Sequence, residues 1–228
     1  MSHYAVAVFS DDADFERLLA PYNESNEKYF VFIEKPYEEI VDEFNEFRIA
    51  NGSWTLGQYI KEFGYEQENG KWGFRQNPRG YWDWYTLDGK DYMFDLRKDV
   101  AAADDWNGYW RKNDYDWFVE DKDEMRSAAA FWDKYVAQEY YGHDYPSLWS
   151  REYYLERFKT KEQYVKEIGR VIPYAFVTPD GEWHAAGRVG WFASSTETAE
   201  DADRYAEEWL AYLRSEGNPY VSLVDCHI

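Results

Sequence analysis

Four histidines, one cysteine and a large surplus of carboxylates are the side chains of this 228-residue sequence that can do acid-base, nucleophilic or metal chemistry. His3 sits in an opening apolar run, His184 follows an Asp180-Gly181 turn, and Asp225-Cys226-His227 comes just before the last residue. If the first and last strands are neighbours, His3, His184, Asp225, Cys226 and His227 converge and are the candidate catalytic residues. Nitrogen, sulfur and oxygen donors of this kind bind a zinc-like ion, with His3, His184 and His227 as candidate ligands, or pair Cys226 with a histidine base. Side chains alternate along a strand, so Asp225 and His227 share a face that Cys226 does not. The plainer expectation is that Cys226 is a small core residue and the histidines are structural or exposed. Established catalytic signatures are missing: there is no G-x-G-x-x-G, no G-x-x-x-x-G-K-[ST], no G-x-S-x-G and no H-E-x-x-H. No cofactor is expected.

The other available chemistry is recognition. Residues 11–46 carry twelve acids against Arg17, Lys28 and Lys35. Glu38, Glu39, Asp42 and Glu43 belong to that run. Residues 99–121 mix acids with aromatics, and Asp104, Asp105, Trp106, Trp110, Asp114, Asp116 and Trp117 are its candidate partner-binding side chains. Aromatics flanked by carboxylates can stack on sugars, but Trp82-Asp83-Trp84 reads better as a half-buried hairpin whose rings fill the core. An acidic run is ordinarily a solvated face. Its sharper reading is a surface that imitates a nucleic-acid backbone and occupies the basic groove of a nucleic-acid-binding protein.

Elements must hold these groups in place. Tyr4 to Phe9 predicts a buried strand, and Phe15, Leu18 and Leu19 a short helix capped by Asp11 or Asp12 and stopped by Pro21. Lys28–Glu34 reads as a strand. A helix starts at Pro36, carries Ile40, Val41, Phe44 and Phe47, and stops at Asn51-Gly52; another short helix covers Trp54 to Phe63. Gly64 to Gly80 has no period and is expected to be a loop. Tyr81–Thr86 and Asp91–Leu96 flank Asp88-Gly89 as a hairpin. Helices are expected at about Lys122–Tyr140, Ser150–Phe158 and Thr160–Ile168, a strand at Val171–Thr178 and a returning segment from Trp183. A long helix through Ala202, Tyr205, Ala206, Trp209 and Leu213 precedes a last strand, Tyr220–Ile228.

This order predicts an α+β fold: an antiparallel sheet containing both terminal strands, helices packed on one face, and a partly irregular, aromatic-rich middle. Residues 1–228 are expected to form a single domain, with about 97–170 readable as a helical insertion. The formal charge of −20 excludes a protein that grips phosphates by general electrostatics, and 21% aromatic residues exclude an acidic disordered chain. One cysteine excludes an internal disulfide and a Cys-x-x-Cys pair. Neither a secretory leader nor a membrane span is expected, which points to the cytoplasm.

Several strings taken together carry a resemblance: Met1-Ser2-His3 leading a strand followed by Leu19-Ala20-Pro21-Tyr22-Asn23-Glu24, then Trp82-Asp83-Trp84-Tyr85, Thr178-Pro179-Asp180-Gly181-Glu182-Trp183-His184 with Gly190-Trp191-Phe192, and Val224-Asp225-Cys226-His227-Ile228. The chain resembles a family of uncharacterised proteins encoded by tailed phages, prophages and other bacterial mobile elements. In that family the WDWY string continues into Ile-Gly-Gly-Arg-Trp; here Thr86-Leu87-Asp88-Gly89-Lys90-Asp91 follows. The resemblance implies a bacterial-cell setting and a mobile-element origin. With the composition, it leads to the expectation of a phage accessory protein that inhibits a host nucleic-acid-binding or antiphage defence protein, such as a CRISPR effector, through the basic surface of that partner. Neither direct nucleic-acid binding nor membrane association is expected. The competing expectation is a small metal- or nucleotide-dependent enzyme or ligand-binding protein built on His3, His184 and His227.

Overall fold

A strand whose odd and even residues are both apolar has no face to offer to water, so it belongs in the middle of a sheet covered on both sides. The computed structural model describes residues 3–87, 109–118, 120, 122–138, 150–188 and 198–228, and it puts the opening run in that position. Strand β1 (His3–Ser10) pairs with β9 (Tyr220–His227) in an unbroken antiparallel register, from His3 opposite His227 to Ser10 opposite Tyr220. On its other side it pairs with β7 (Ala175–Val177), which β8 (Trp183–Ala185) extends across the Pro179-Asp180-Gly181 turn. Strand β5 (Tyr85–Leu87) and the short β6 (Trp110–Arg111) share the far edge of β9, giving the order β5-β9-β1-β7-β8.

The α+β plan therefore stands, with the first and last strands side by side, and two of its details change. The sheet is mixed, because β1 and β7 run parallel. The chain between them is long enough to cross over and enter from the same end. The helices also cover both faces. Tyr4, Val6, Val8, Val177, Val224 and Cys226 pack against α1 (Phe15–Leu19), Tyr22 and Trp82. Ala7, Phe9, Phe176, Val221 and Leu223 pack beneath α7 (Ala199–Arg214) through Tyr205, Trp209 and Leu213, with Tyr115 and Trp117 beside them. Helix α7 starts at Thr198, whose hydroxyl accepts from the Asp201 N–H while the Asp201 carboxylate accepts in turn from the Thr198 N–H.

A second, three-stranded sheet corrects the expectation of a loop at 64–80. Strands β2 (Val31–Glu34), β3 (Glu66–Glu68) and β4 (Lys71–Gln76) pair in the order β2-β4-β3. Glu68 opposite Lys71 leaves a two-residue turn, Asn69-Gly70, with φ of +52° and +80°. Two consecutive positive φ values match the right-handed twist of a hairpin, and Asn-Gly adopts them at least cost. Helices α2 (Tyr37–Asn51) and α3 (Leu56–Glu62) close over this sheet with Ile40, Phe44 and Tyr59 as their core.

A helical group occupies much of the expected insertion. Helix α4 (Lys122–Phe131) runs on into a wider π turn, Trp132–Val136, and packs with α5 (Arg151–Phe158) and α6 (Lys161–Ile168) around Trp132, Val136, Tyr154, Phe158 and Tyr164. Of the expected hairpin, Tyr85–Leu87 forms a strand but pairs with β9. Its Asp88-Gly89 turn and its return strand lie outside the described residues, as do His143 and Gly190-Trp191-Phe192. Among the described residues no helix is long and apolar enough to cross a membrane.

Candidate functional site

The antiparallel register of β1 and β9 sets His3 directly across from His227, and Asp225 lies two residues earlier on β9, opposite Ala5. Alternation puts all three on the sheet face that holds Phe9 and Leu223, and Cys226 on the other. His3 Nδ1 lies 2.9 Å from Asp225 Oδ2, and His227 Nε2 lies 3.9 Å from the same oxygen. The two imidazoles meet at 3.5 Å between ring centroids, inclined by 64°. Strand β5 adds a third side. Its approach delivers the Asp83 N–H to the His227 carbonyl at 3.0 Å and takes the His227 N–H on the Trp84 carbonyl at 2.9 Å. The Trp84 indole stacks on the His227 ring at 3.3 Å and 22°.

Burial grades steeply across this corner. The side chain of His3 is 55% exposed, that of Asp225 13% and that of His227 2%. Both ring nitrogens of His227 are buried, and neither has a hydrogen-bond partner among the described residues. A buried polar group left unpaired costs about 1–3 kcal/mol, so the fold tolerates a local penalty here. Burial lowers the pKa of His227, the positive charge available to His3 lowers it further, and Asp225 and Asp83 oppose the shift. The ring is thus kept neutral, with an unshared lone pair beside a carboxylate and a second imidazole. His3, Asp225 and His227 carry donor atoms lying within 4.8 Å of one another. The arrangement suits an ion or a polar ligand approaching from the His3 side. It also contains a simpler device, a carboxylate that orients an exposed imidazole, the pairing used in general-base catalysis.

The structure does not bring His184 and Cys226 into this corner. His184 lies on β8 opposite Phe176, itself opposite Ala7, so it is two strands across and four residues along from His3. That is roughly 16 Å at ordinary strand spacings. It stacks on Phe176 at 4.5 Å, with Glu208 at 3.6 Å and Glu182 at 3.8 Å. Cys226 is fully buried against the α1 side of the sheet, and burial pushes its thiol pKa up. A protonated thiol behind the sheet neither attacks a substrate nor ligates an ion held by His227. Trp84 was not among the sequence candidates. The available signal was its place just before a strand that pairs with the histidine-bearing β9.

The acidic candidates divide as well. Glu38, Glu39 and Asp42 are exposed on α2, in one row with Glu46. Among the described residues none of the four has an ion-pair partner. Glu43 turns the other way and accepts from the Lys35 ammonium and, at 2.8 Å, from the Tyr65 hydroxyl. The Lys35 contact holds its carboxyl below the usual glutamate range. Asp114 is spent on the Arg111 N–H at 3.1 Å, and Asp116 accepts from the Phe118 N–H at 3.4 Å. Trp117 is a core residue with its Nε1–H bonded to the Lys112 carbonyl at 2.8 Å, and Trp110 packs its ring against Tyr115. Trp117 anchors α7 from the core, and Trp110 lies half-buried at the edge of β9. Asp104, Asp105 and Trp106 lie outside the described residues.

Comparison with protein-family models, with curated proteins and with solved structures finds no match for this chain.

Proposed function

We propose that this chain is a phage or mobile-element accessory protein that acts in the bacterial cytoplasm by binding another protein. In this reading it is an acidic, nucleic-acid-mimicking inhibitor that occupies the basic nucleic-acid-binding surface of a host protein, such as an antiphage defence protein of the CRISPR-effector kind. The observation that carries the reading is the segregation of charge. Residues 122–170 hold nine acids and nine bases, so the whole excess of 20 negative charges belongs to the rest of the chain. A charge that serves only solubility needs no such division.

On α2 the unpaired carboxylates at 38, 42 and 46 follow one another at about 6 Å of helix rise, a straight row of negative charge in water. A basic groove attracts such a row over long range and discriminates by charge more than by buried area. Nucleic acid itself is repelled.

The test is a pull-down of the tagged protein from a host that carries its defence systems, eluted in salt steps. A basic nucleic-acid-binding or defence protein should be released between low and moderate salt. Replacing Glu38, Glu39, Asp42 and Glu46 together by lysine should abolish its capture, and the control pair Glu152→Lys with Glu156→Lys in the neutral helical group should retain it. Equal capture by the α2 variant and the wild type would overturn the reading.

A further inference from the structure

We propose that His3, Asp225 and His227 bind one divalent transition-metal ion of the zinc type, with coordination positions left open on the His3 side. This is separate from the docking reading and uses none of its residues. Two imidazoles and one carboxylate are an established donor set for zinc sites that keep a position free for water or substrate. Magnesium and calcium prefer shells made of oxygen and would leave two nitrogens unused. Among the described residues nothing else accounts for the His227 ring: it is buried, stacked flat on Trp84, and neither nitrogen has a hydrogen-bond partner there.

The surroundings also suit a held ion. An eight-pair ladder fixes the backbone positions of all three donors, and the Trp84 stack sets the plane of the innermost ring. His3 Nδ1 and Asp225 Oδ2 face each other at 2.9 Å, so an ion bound between them displaces the proton they share. An ion at about 2.0–2.2 Å from each donor asks the wider separations to close by about 1 Å. His3, the exposed member at the strand end, can supply that movement by turning about its own side-chain bonds. Cys226 contributes nothing, being on the opposite face.

The experiment uses the purified full chain, stripped with a chelator and titrated with zinc chloride by calorimetry, then with cobalt(II) as a coloured probe. One zinc per chain is expected at micromolar Kd or tighter. The affinity should fall about tenfold or more in His3→Ala and in Asp225→Asn, and be retained in His184→Ala. His3 is exposed, so its variant keeps the fold, and a thermal melt checks this. Bound cobalt should give visible d–d bands without a thiolate charge-transfer band. The proposal is overturned by the lack of a saturable site below about 100 μM, by wild-type affinity in a folded His3→Ala, or by a thiolate band. Because no partner protein takes part, failure here leaves the docking reading untouched, and failure of docking leaves this one.

Discussion

At the corner of the main sheet a histidine keeps both ring nitrogens unpartnered while almost wholly buried, whereas on α2 four carboxylates stand in water with no partner among the described residues. Among the described residues the His227 ring lacks a hydrogen-bond partner and the α2 carboxylates lack an ion-pair partner, and the energetic consequences are opposite. Water satisfies the α2 carboxylates, so that face can change at little cost to the fold beyond the helix-dipole contribution of Glu38 and Glu39. No group among the described residues satisfies the His227 ring, so the fold must hold it there against a penalty. The sheet can do so because β1 is paired with β9 along its whole length and with β7 at Val6–Val8. A polar group kept unpaired inside a rigid frame is a stronger pointer to a ligand than any number of charges on a helix surface.

The largest expected effect tests that frame. Phe9 is fully buried at the opposite end of β1 from His3, with its ring against Trp117, Phe176, Trp209 and Tyr212. Phe9→Ala should destabilise the protein by about 3–5 kcal/mol in denaturant unfolding. The zinc affinity of the protein that stays folded should not change. If affinity falls in proportion to stability, the corner is not held by register alone, and the two ends of β1 are coupled through the core.

Next comes the corner itself. His227→Phe keeps the stack on Trp84 and removes both unpartnered nitrogens, so metal-free protein should gain about 1–2 kcal/mol and lose zinc binding. The gain should depend on pH. The folded state holds the His227 pKa below its ordinary value of 6.5, so the unfolded chain takes up that proton first. The stability tied to a neutral ring is therefore present above about pH 6.5 and is lost as the pH falls below it. The advantage of His227→Phe over wild type should widen from pH 8 to pH 5 in paired melts. Comparing the two proteins cancels the relief of carboxylate repulsion, which the −20 charge gives to both on acidification. A constant difference would mean that His227 titrates normally and has a partner after all.

How much of this was legible follows from what alternation and turn chemistry can carry. The central strand, the neighbourhood of the first and last strands, and the split of Asp225 and His227 from Cys226 are consequences of apolar runs and a period of two. The displacement of His184 depended on the parallel pairing of β7 with β1, a long-range choice that no local pattern encodes. The hairpin at Asn69-Gly70 was legible, yet its flanking residues are polar, Glu66 and Gln67 among them, and the apolar run that usually announces a strand is missing. Trp110 and Trp117 looked exposed because acids surround them. In a strand or a tight turn one residue can face water while the next fills the core, and Asp116 beside Trp117 does that.

The smallest expected effects on stability set one glutamate of α2 against its neighbours. Glu43→Gln removes the charge that Lys35 and Tyr65 both address. It should cost no more than about 1 kcal/mol, because these groups are partly open to solvent. The stability it removes should be present above the usual glutamate pKa of 4.5 and lost as the pH falls, since the folded state holds this carboxyl below that value. The lysine replacements at Asp42 and Glu46 should each stay within about 0.5 kcal/mol of wild type, whereas those at Glu38 and Glu39, in the first turn of α2 where acids complement the helix dipole, should each cost about 0.3–1 kcal/mol. The contrast is sharpest when both variants enter one denaturant series and one capture assay. Glu43→Gln should weaken the fold and spare capture, and Asp42→Lys with Glu46→Lys should spare the fold and weaken capture. If instead Asp42→Lys with Glu46→Lys loses stability as Glu43→Gln does, those carboxylates have structural partners, and the outer face of α2 is bound into the fold as firmly as the corner it is compared with.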